Sequence, residues 1–153
     1  MNALATDPET LEVGAVFTGP ARMLTHERTL WYGDGLMTSA AGERRMAMPN
    51  IHTDEGYAKS QGLQGAIADG MHSTNWISTM MTATFGRAYL ESGRLRTKYI
   101  KPTFVGKPLY VFGKITARED RDMSTYVELE VWTEDDEGTK LTVGEASVEL
   151  PKG

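Results

Sequence analysis

The stretch from Met71 to Gly86 contains no Asp, Glu, Lys or Arg. A surface helix of that length normally has a charged outer face. A run whose polar groups are His72, Asn75 and small hydroxyl residues should therefore be enclosed nearly all round. Its apolar residues recur with a period of about 3.6, which predicts a helix that packs one stripe against a sheet. The stripe consists of Trp76, Ile77, Met80, Met81 and Phe85.

The residues before this run predict what precedes the helix. The helix should begin near Asp69 or Gly70, after a shorter helix that is capped by Thr53 and ends near Gly62. Three earlier elements are predicted: a strand over Val13–Thr18, a helix that begins at His26 after a Thr25 cap and stops early at Gly33 or Gly35, and a loop over Thr38–Arg45.

After Gly93 the hydrophobic period changes to two, which is typical of half-buried strands. Strands are predicted over Arg94–Ile100, Leu109–Ile115, Ser124–Trp132 and Leu141–Leu150. Successive strands with short joins favour an antiparallel meander wrapped around the helix, with the strand over Val13–Thr18 joining its edge. The sequence therefore predicts an α+β fold, and we expect a single domain over residues 1–153.

The composition argues against several classes of function. A net charge of −5 argues against a nucleic-acid or anionic-membrane partner. The chain has no Cys and three widely spaced His, so we expect no metal site. It has no Gly-rich phosphate loop and no nucleotide fingerprint, so we expect no cofactor. It has no apolar run of about 20 residues, and Met1–Thr10 has neither a basic start nor an apolar stretch, so we expect a cytoplasmic protein.

A particular order of residues surrounds the central helix. His52 precedes the short helix, Gly70 follows eighteen residues later in the phrase I-A-D-G-M, and Ser78 comes eight residues after Gly70. Two further segments belong to this order, Tyr99–Gly106 (YIKPTFVG) and Gly144–Val148 (GEASV). Together they resemble the MaoC-like branch of the hot-dog fold, in which a curved antiparallel sheet wraps around a long central helix. The resemblance implies the activity of an (R)-specific enoyl-CoA hydratase or a 3-hydroxyacyl-CoA dehydratase.

The chain departs from this family in its active loop. The family motif is D-x-N-P-x-H, and its Asp is one half of an acid/base pair with the His. The matching residues here are A-M-P-N-I-H, so Ala47 stands in place of the Asp and the Asn-Pro pair appears as Pro49-Asn50. Hydration of an enoyl thioester needs one group to activate water and another to protonate Cα. His52 supplies one of these groups, and the second is left open.

Several residues are candidates for the missing group, and each has a structural alternative. Glu43 either reaches the site or is a solvated loop residue. Asp54 either faces the substrate or is a carboxylate at the positive end of a helix. His72 stands where the family has an apolar residue, and is either a second acid/base group or a hydrogen-bonded structural one. Asn50 either orients a carbonyl or a water, or forms a turn.

Gly70 is the predicted oxyanion donor. A backbone N–H at a helix N-terminus stabilises a developing enolate oxygen, and Gly allows that oxygen to approach closely. The alternative is that Gly70 only begins the helix. The predicted catalytic residues are thus His52, Gly70 and His72. The predicted substrate-contacting residues are Asn50, Asp54, Met71, Trp76, Ser78 and Lys101.

Some of these substrate contacts are also open to a second interpretation. Trp76, Met80 and Met81 either line an acyl pocket or belong to the core. Ser78 lies about 12 Å along the helix from Gly70 and touches either an acyl chain or a strand. A basic stripe either meets the phosphates of coenzyme A or is an ordinary solvent face. The stripe consists of Arg94, Arg96, Lys98 and Lys101.

Three hypotheses for the function follow. The leading one is a MaoC-like hydratase or dehydratase that acts on an acyl thioester or a related α,β-unsaturated carbonyl compound. It is expected to be a homodimer or a dimer of dimers, because one sheet on one helix leaves an exposed edge. The second is a hot-dog thioesterase or an isomerase that forms an enolate. The third is a non-catalytic subunit that binds an acyl group or supports an active partner.

Overall fold

The computed structural model describes residues 8–35 and 49–152, which form an α+β fold with one long helix. After a 3-10 turn over Pro8–Thr10, the elements are β1 (Val16–Thr18), β2 (Arg22–Met23), α1 (His26–Gly35), α2 (Glu55–Ser60), α3 (Met71–Ser92), β3 (Arg94–Tyr99), β4 (Pro108–Asp120), β5 (Ser124–Glu134) and β6 (Lys140–Pro151). The four predicted C-terminal strands and the start of the central helix are confirmed.

The sheet is antiparallel, with the strand order β1-β4-β5-β6-β3, and β2 pairs with the start of β4. The meander is confirmed for β4, β5 and β6, and so is the predicted edge position of β1. It is wrong for β3, which lies at the far edge against β6. The chain does not turn tightly after β3. Instead, residues 100–107 lead from β3 at one edge of the sheet to β4, which lies beyond β5 and β6. On the way, Thr103 O accepts from Ala68 N at 2.7 Å and Phe104 pairs with Ile67.

The boundaries of the early elements differ from prediction in local detail. The first strand is shorter than predicted, whereas α1 ends at Gly35, one of the two predicted ends. Thr25 Oγ1 accepts from Arg28 N at 3.3 Å, as a cap does. The cap of α2 is Asp54 and not Thr53, because the Asp54 side chain accepts from Tyr57 N at 2.7 Å. The loop predicted over Thr38–Arg45 lies outside the described residues.

The core forms where the apolar stripe of α3 meets the sheet. Ile77 and Met81 are fully buried and Met80 nearly so, against β4, β5 and β6. The sheet residues of this cluster are Val111, Ile115, Val127, Leu129, Val131, Ala146, Val148 and Leu150. These contacts show that the methionines of the stripe belong to the core. No helix within the described residues is long and apolar enough to cross a membrane.

The opposite face of α3 is open in the single chain. Met71, Asn75, Thr79 and Ala83 recur every fourth residue and are exposed. The prediction that the helix is enclosed nearly all round is therefore wrong for one chain. A sheet packs against one side of a helix, and the described part of the chain has no second layer over this face. We call these four residues the open stripe.

A kink at Gly86 divides α3. Its backbone angles, φ 56° and ψ −133°, are not helical and are not readily adopted by residues with a Cβ. Beyond the kink, Ser92 Oγ donates to Ala88 O at 2.8 Å within the helix and accepts from Glu149 N at 2.9 Å, which fixes the helix end on β6. The kink thus allows one continuous helix to serve both the core and this anchor.

Replacing this glycine tests its conformational role. We expect Gly86→Ala to lower the free energy of unfolding by about 1–3 kcal/mol, because Ala resists these angles. A Cβ at this position meets no atom within 4 Å, so the cost is conformational and not a clash. Urea denaturation measures it. Arg87→Ala is the control, since it removes only an exposed ion pair with Glu91, which is worth up to about 0.5 kcal/mol. Equal stabilities of the two variants would contradict the prediction.

Candidate active site

A hydrogen-bonded turn presents His52. The Asn50 Oδ1 atom accepts from His52 N at 2.9 Å and from Thr53 N at 3.1 Å. The Asn50 carbonyl accepts from Asp54 N at 3.0 Å. These are the bonds of an Asx turn, in which a short polar side chain takes the place of backbone acceptors. The structure therefore gives Asn50 Oδ1 a defined role in holding the loop that carries His52.

The His52 ring is oriented by a backbone carbonyl. Its Nδ1 lies 3.0 Å from Ile67 O. A carbonyl oxygen only accepts, so Nδ1 carries the hydrogen and Nε2 has a lone pair to offer. Ile67 is itself held on two sides, because its N–H donates to Ile51 O at 3.0 Å and it pairs with Phe104. The segment around Phe104 thus supports the acceptor that orients the imidazole.

His72 occupies the first turn of α3 and is nearly buried, with 8% of its surface exposed. Its ring packs against Tyr32 of α1, with centroids 4.1 Å apart, and lies 5.9 Å from the Trp76 ring. Its Nδ1 donates to Asp69 O at 3.1 Å, so its Nε2 also has a lone pair. The structural alternative from the sequence, a hydrogen-bonded His, is correct as far as Nδ1 is concerned.

Burial lowers the pKa of His72 below its ordinary value of 6.5. The hydrogen bond to the Asp69 carbonyl and the Asp69 charge oppose this shift, whereas the nearby His52 adds to it. The neutral form of His72 is therefore favoured at physiological pH.

Gly70 precedes the first turn of α3 and has the backbone angles of a helix, φ −56° and ψ −30°. The next two N–H groups have acceptors on Asp69: its Oδ1 lies 3.2 Å from Met71 N and its carbonyl 3.0 Å from His72 N. Among the described residues no group accepts from the Gly70 N–H. An N–H group at this helix end has the direction and the partial positive charge to bind an anionic oxygen.

Packing against Tyr99 is a second, steric reason for a glycine at position 70. A Cβ at position 70 would lie 2.6 Å from Tyr99 Cε2, so the ring leaves no space for a side chain. The Tyr99 hydroxyl lies 2.8 Å from Thr74 Oγ1, which is also 2.8 Å from Thr97 Oγ1. This hydroxyl network joins β3 to the start of α3. Packing and close approach of a ligand therefore both favour Gly at this position.

The other predicted site residues are distributed around this centre. Met71 is exposed beside Tyr99, and Trp76 packs partly against the core. Ser78 is half-buried further along α3, and Lys101 is exposed after β3. Asp54 caps α2. Whether any of them touches a substrate stays a prediction.

The basic stripe lies on the other side of the sheet. Thr97 and Tyr99 face α3, so Arg94, Arg96 and Lys98 alternate onto the outer face. There they line two concave surfaces of about 460 and 550 Å³ that also include Glu130 and Glu145. These three cations therefore do not surround His52. The position favours the alternative of a solvent-facing strand.

Two aromatic contacts were not expected from the sequence. The sequence contained an indication for Tyr99, because this residue alternates with Thr97 along a strand and so shares the helix-facing side. It contained no indication for Tyr32, since the contact of this residue with His72 depends on how α1 packs. Glu43 and Ala47 lie outside the described residues. Within residues 8–35 and 49–152, no three His or acidic side chains are grouped to hold a metal ion.

Comparison with known proteins gives the same architecture. The family model described as a MaoC-like domain matches residues 48–136. The chain is similar to the unliganded (R)-hydratase PhaJ1 from Pseudomonas aeruginosa, with 20% identity over 96% of this chain and 86% of that one, and a TM-score of 0.71. It is similar to the A. caviae (R)-hydratase involved in PHA biosynthesis, with 18% identity over 94% and 99% of the two chains and a TM-score of 0.70.

A third similar structure is the MaoC-like dehydratase from Rhodospirillum rubrum, with 17% identity over 95% and 96% of the two chains and a TM-score of 0.74. At these identities the likeness shows the fold, which is the hot-dog fold expected from the sequence. No curated protein sequence matches the chain.

The lowered pKa of His72 makes stability depend on pH. Below about pH 6.5 the unfolded chain binds a proton at this residue more readily than the folded chain. The free energy of unfolding should therefore fall as the pH is lowered from about 7.5 to about 5.5, and fall less in His72→Gln. Urea denaturation across this range measures it. His26→Gln, at an exposed His, is the control and should keep the wild-type slope. A wild-type slope in His72→Gln would refute the prediction.

Proposed function

The chain belongs to the MaoC-like domain family, and from this we propose that it is a hydro-lyase that adds water to an α,β-unsaturated acyl thioester or removes it from the 3-hydroxyacyl product. The solved structures to which the chain is similar include two (R)-hydratases and one MaoC-like dehydratase, which supports this proposal. We propose a thioester of coenzyme A as the first substrate class to test.

One observation carries the proposal. The carbonyl that orients His52 belongs to Ile67, three residues before Gly70, whose N–H begins α3. The short segment from Ile67 to Gly70 thus orients the proton acceptor, His52, and carries the oxyanion donor, the Gly70 N–H. Pairing of Ile67 with Phe104 holds this segment in place. Conversion of an enoyl thioester through an enolate requires these two functions.

The roles follow from the chemistry of each group. His52 would accept or donate the proton through Nε2, since Nδ1 is bonded to Ile67 O. The Gly70 N–H would stabilise the negative charge that develops on the thioester oxygen in the enolate. Water exclusion around the reacting carbons would make this hydrogen bond stronger than in bulk solvent.

Substitution of His52 tests this function. We expect the purified protein to hydrate crotonyl-CoA or a longer enoyl-CoA, and His52→Ala to lower kcat/KM by about 10²-fold or more. Hydroxyacyl-CoA formation, followed by chromatography, is the measurement. His26→Ala is the matched control and should retain the wild-type rate. Full activity in His52→Ala would contradict the assignment of His52 as the proton-transfer residue.

The products also separate the competing hypotheses. Release of free CoA would make the protein a thioesterase. Binding of an acyl-CoA without turnover, measured by calorimetry, would indicate a non-catalytic subunit. A shift of the double bond without hydration would indicate an isomerase.

We also propose that the protein is a homodimer in which each copy covers the open stripe and the β3 edge of the other. In the described residues β3 pairs only with β6, so half of its backbone groups lack a strand partner. The open stripe itself contains no charged residue, and Met71 and Tyr99 are 46% and 47% exposed. A net charge of −5 makes a charge-free face of this length unusual for solvent contact.

A charge placed in the open stripe tests the dimer. Light scattering at micromolar concentration should give a dimer mass for the wild type and a monomer mass for Thr79→Glu, because two copies would bury unpaired carboxylates. Leu90→Glu is the control: Leu90 is 72% exposed on α3 beyond the kink, so this variant should remain dimeric. A monomeric wild type would overturn the proposal.

A further inference from the structure

Two imidazoles are oriented by carbonyls of the same segment. Ile67 O accepts from His52 Nδ1 at 3.0 Å, and Asp69 O, two residues later, accepts from His72 Nδ1 at 3.1 Å. Both rings therefore carry a hydrogen on Nδ1, and it is Nε2 of each ring that gains or loses the second proton. The next residue is Gly70, whose N–H is the proposed oxyanion donor.

The surroundings of the two rings differ in a way that suits different roles. His72 is nearly buried between Tyr32 and Trp76, whereas His52 is only half-buried on its loop. The titratable groups near His72 are Asp69 and His52, which interact with it electrostatically, and the Tyr32 phenol that packs on its ring. In the described residues every fully buried side-chain nitrogen or oxygen has a hydrogen-bond partner. His72 Nε2 therefore either has a partner or can be reached from outside the core.

We infer that His72 is the second acid/base residue of the site and acts with His52 in place of the carboxylate that Ala47 replaces. This inference rests on the proposed hydro-lyase function and names the group that completes it. A role in packing alone does not require both rings to be oriented by carbonyls of the segment that leads into Gly70. The pairing gives the site two proton-transfer groups without a carboxylate.

The proton balance of hydration follows from this pairing. Neutral His72 takes a proton from water as the water oxygen bonds to Cβ, and the electron pair of the double bond moves to the thioester enolate at the Gly70 N–H. Protonated His52 then gives its proton to Cα. The reaction ends with a proton on His72 and none on His52, and exchange with solvent restores the starting state. Dehydration follows the same steps in reverse.

Two substitutions at His72 test the inference. His72→Gln keeps a polar group near Asp69 O, and His72→Phe keeps the aromatic packing against Tyr32. We expect both variants to fold and to lower kcat/KM for enoyl-CoA hydration by about 10²-fold or more. The acidic limb of the wild-type pH profile should be absent from their residual activity, because no imidazole at position 72 remains to be protonated. His26→Gln should retain the wild-type profile.

Nitrogen-15 NMR gives a readout that does not depend on activity. The chain has three His, so the His52 and His72 signals are assigned by substitution. Both rings should show the Nδ1–H tautomer at high pH, and His52→Gln should raise the titration midpoint of His72, because the charge on His52 lowers the pKa of His72. An unchanged midpoint would overturn the pairing, whatever the enzyme assay shows.

The assays separate this inference from the function on which it rests. Loss of hydration in His52→Ala with full activity and an unchanged pH profile in both His72 variants would refute the role of His72 and leave the hydro-lyase function intact. Absence of hydration by the wild-type protein would refute the function, and the NMR midpoint would then decide whether the two imidazoles interact.

Discussion

The packing of the apolar stripe of α3 against the curved sheet is the contact on which the structure depends. It buries Ile77, Met80 and Met81 among the strands and so fixes the helix along its length. The start of the helix lies beside Tyr99 at the end of β3. Because the candidate site lies at that start, the geometry of its backbone donors and acceptors follows from core packing, which places them with the rigidity of the interior.

The parts of the fold with a local signal could be predicted from the sequence. A change of hydrophobic period at Gly93 separates helix from strands, and Gly70 marks the helix start to within one residue. The position of β3 beside β6 could not be predicted, because strand pairing across the sheet depends on where residues 100–107 travel and not on the strand itself. The same limit applies to the open stripe: the absence of charge indicates burial but does not say whether the same chain or another provides the cover.

The site was predicted in part for the same reason. His52 and Gly70 have sequence spacing as a guide, whereas the contacts that orient them are tertiary. The acceptor for the His52 ring is a main-chain carbonyl, which every residue type has. The residue types in the sequence therefore do not indicate which carbonyl it is. Asn50 and Asp54 illustrate the converse. Their turn and cap roles are local, and both were open as alternatives from the residue types alone.

The Asx turn at Asn50 has an evolutionary consequence. Its hydrogen bonds join Asn50 to His52, Thr53 and Asp54, all within five residues. A substitution elsewhere in the chain that leaves these bonds in place can alter the chemistry around the histidine and keep its presentation intact. The histidine and its turn thus form a local module. Selection can change the groups around a placed imidazole one residue at a time, because the turn does not have to be rebuilt with each change.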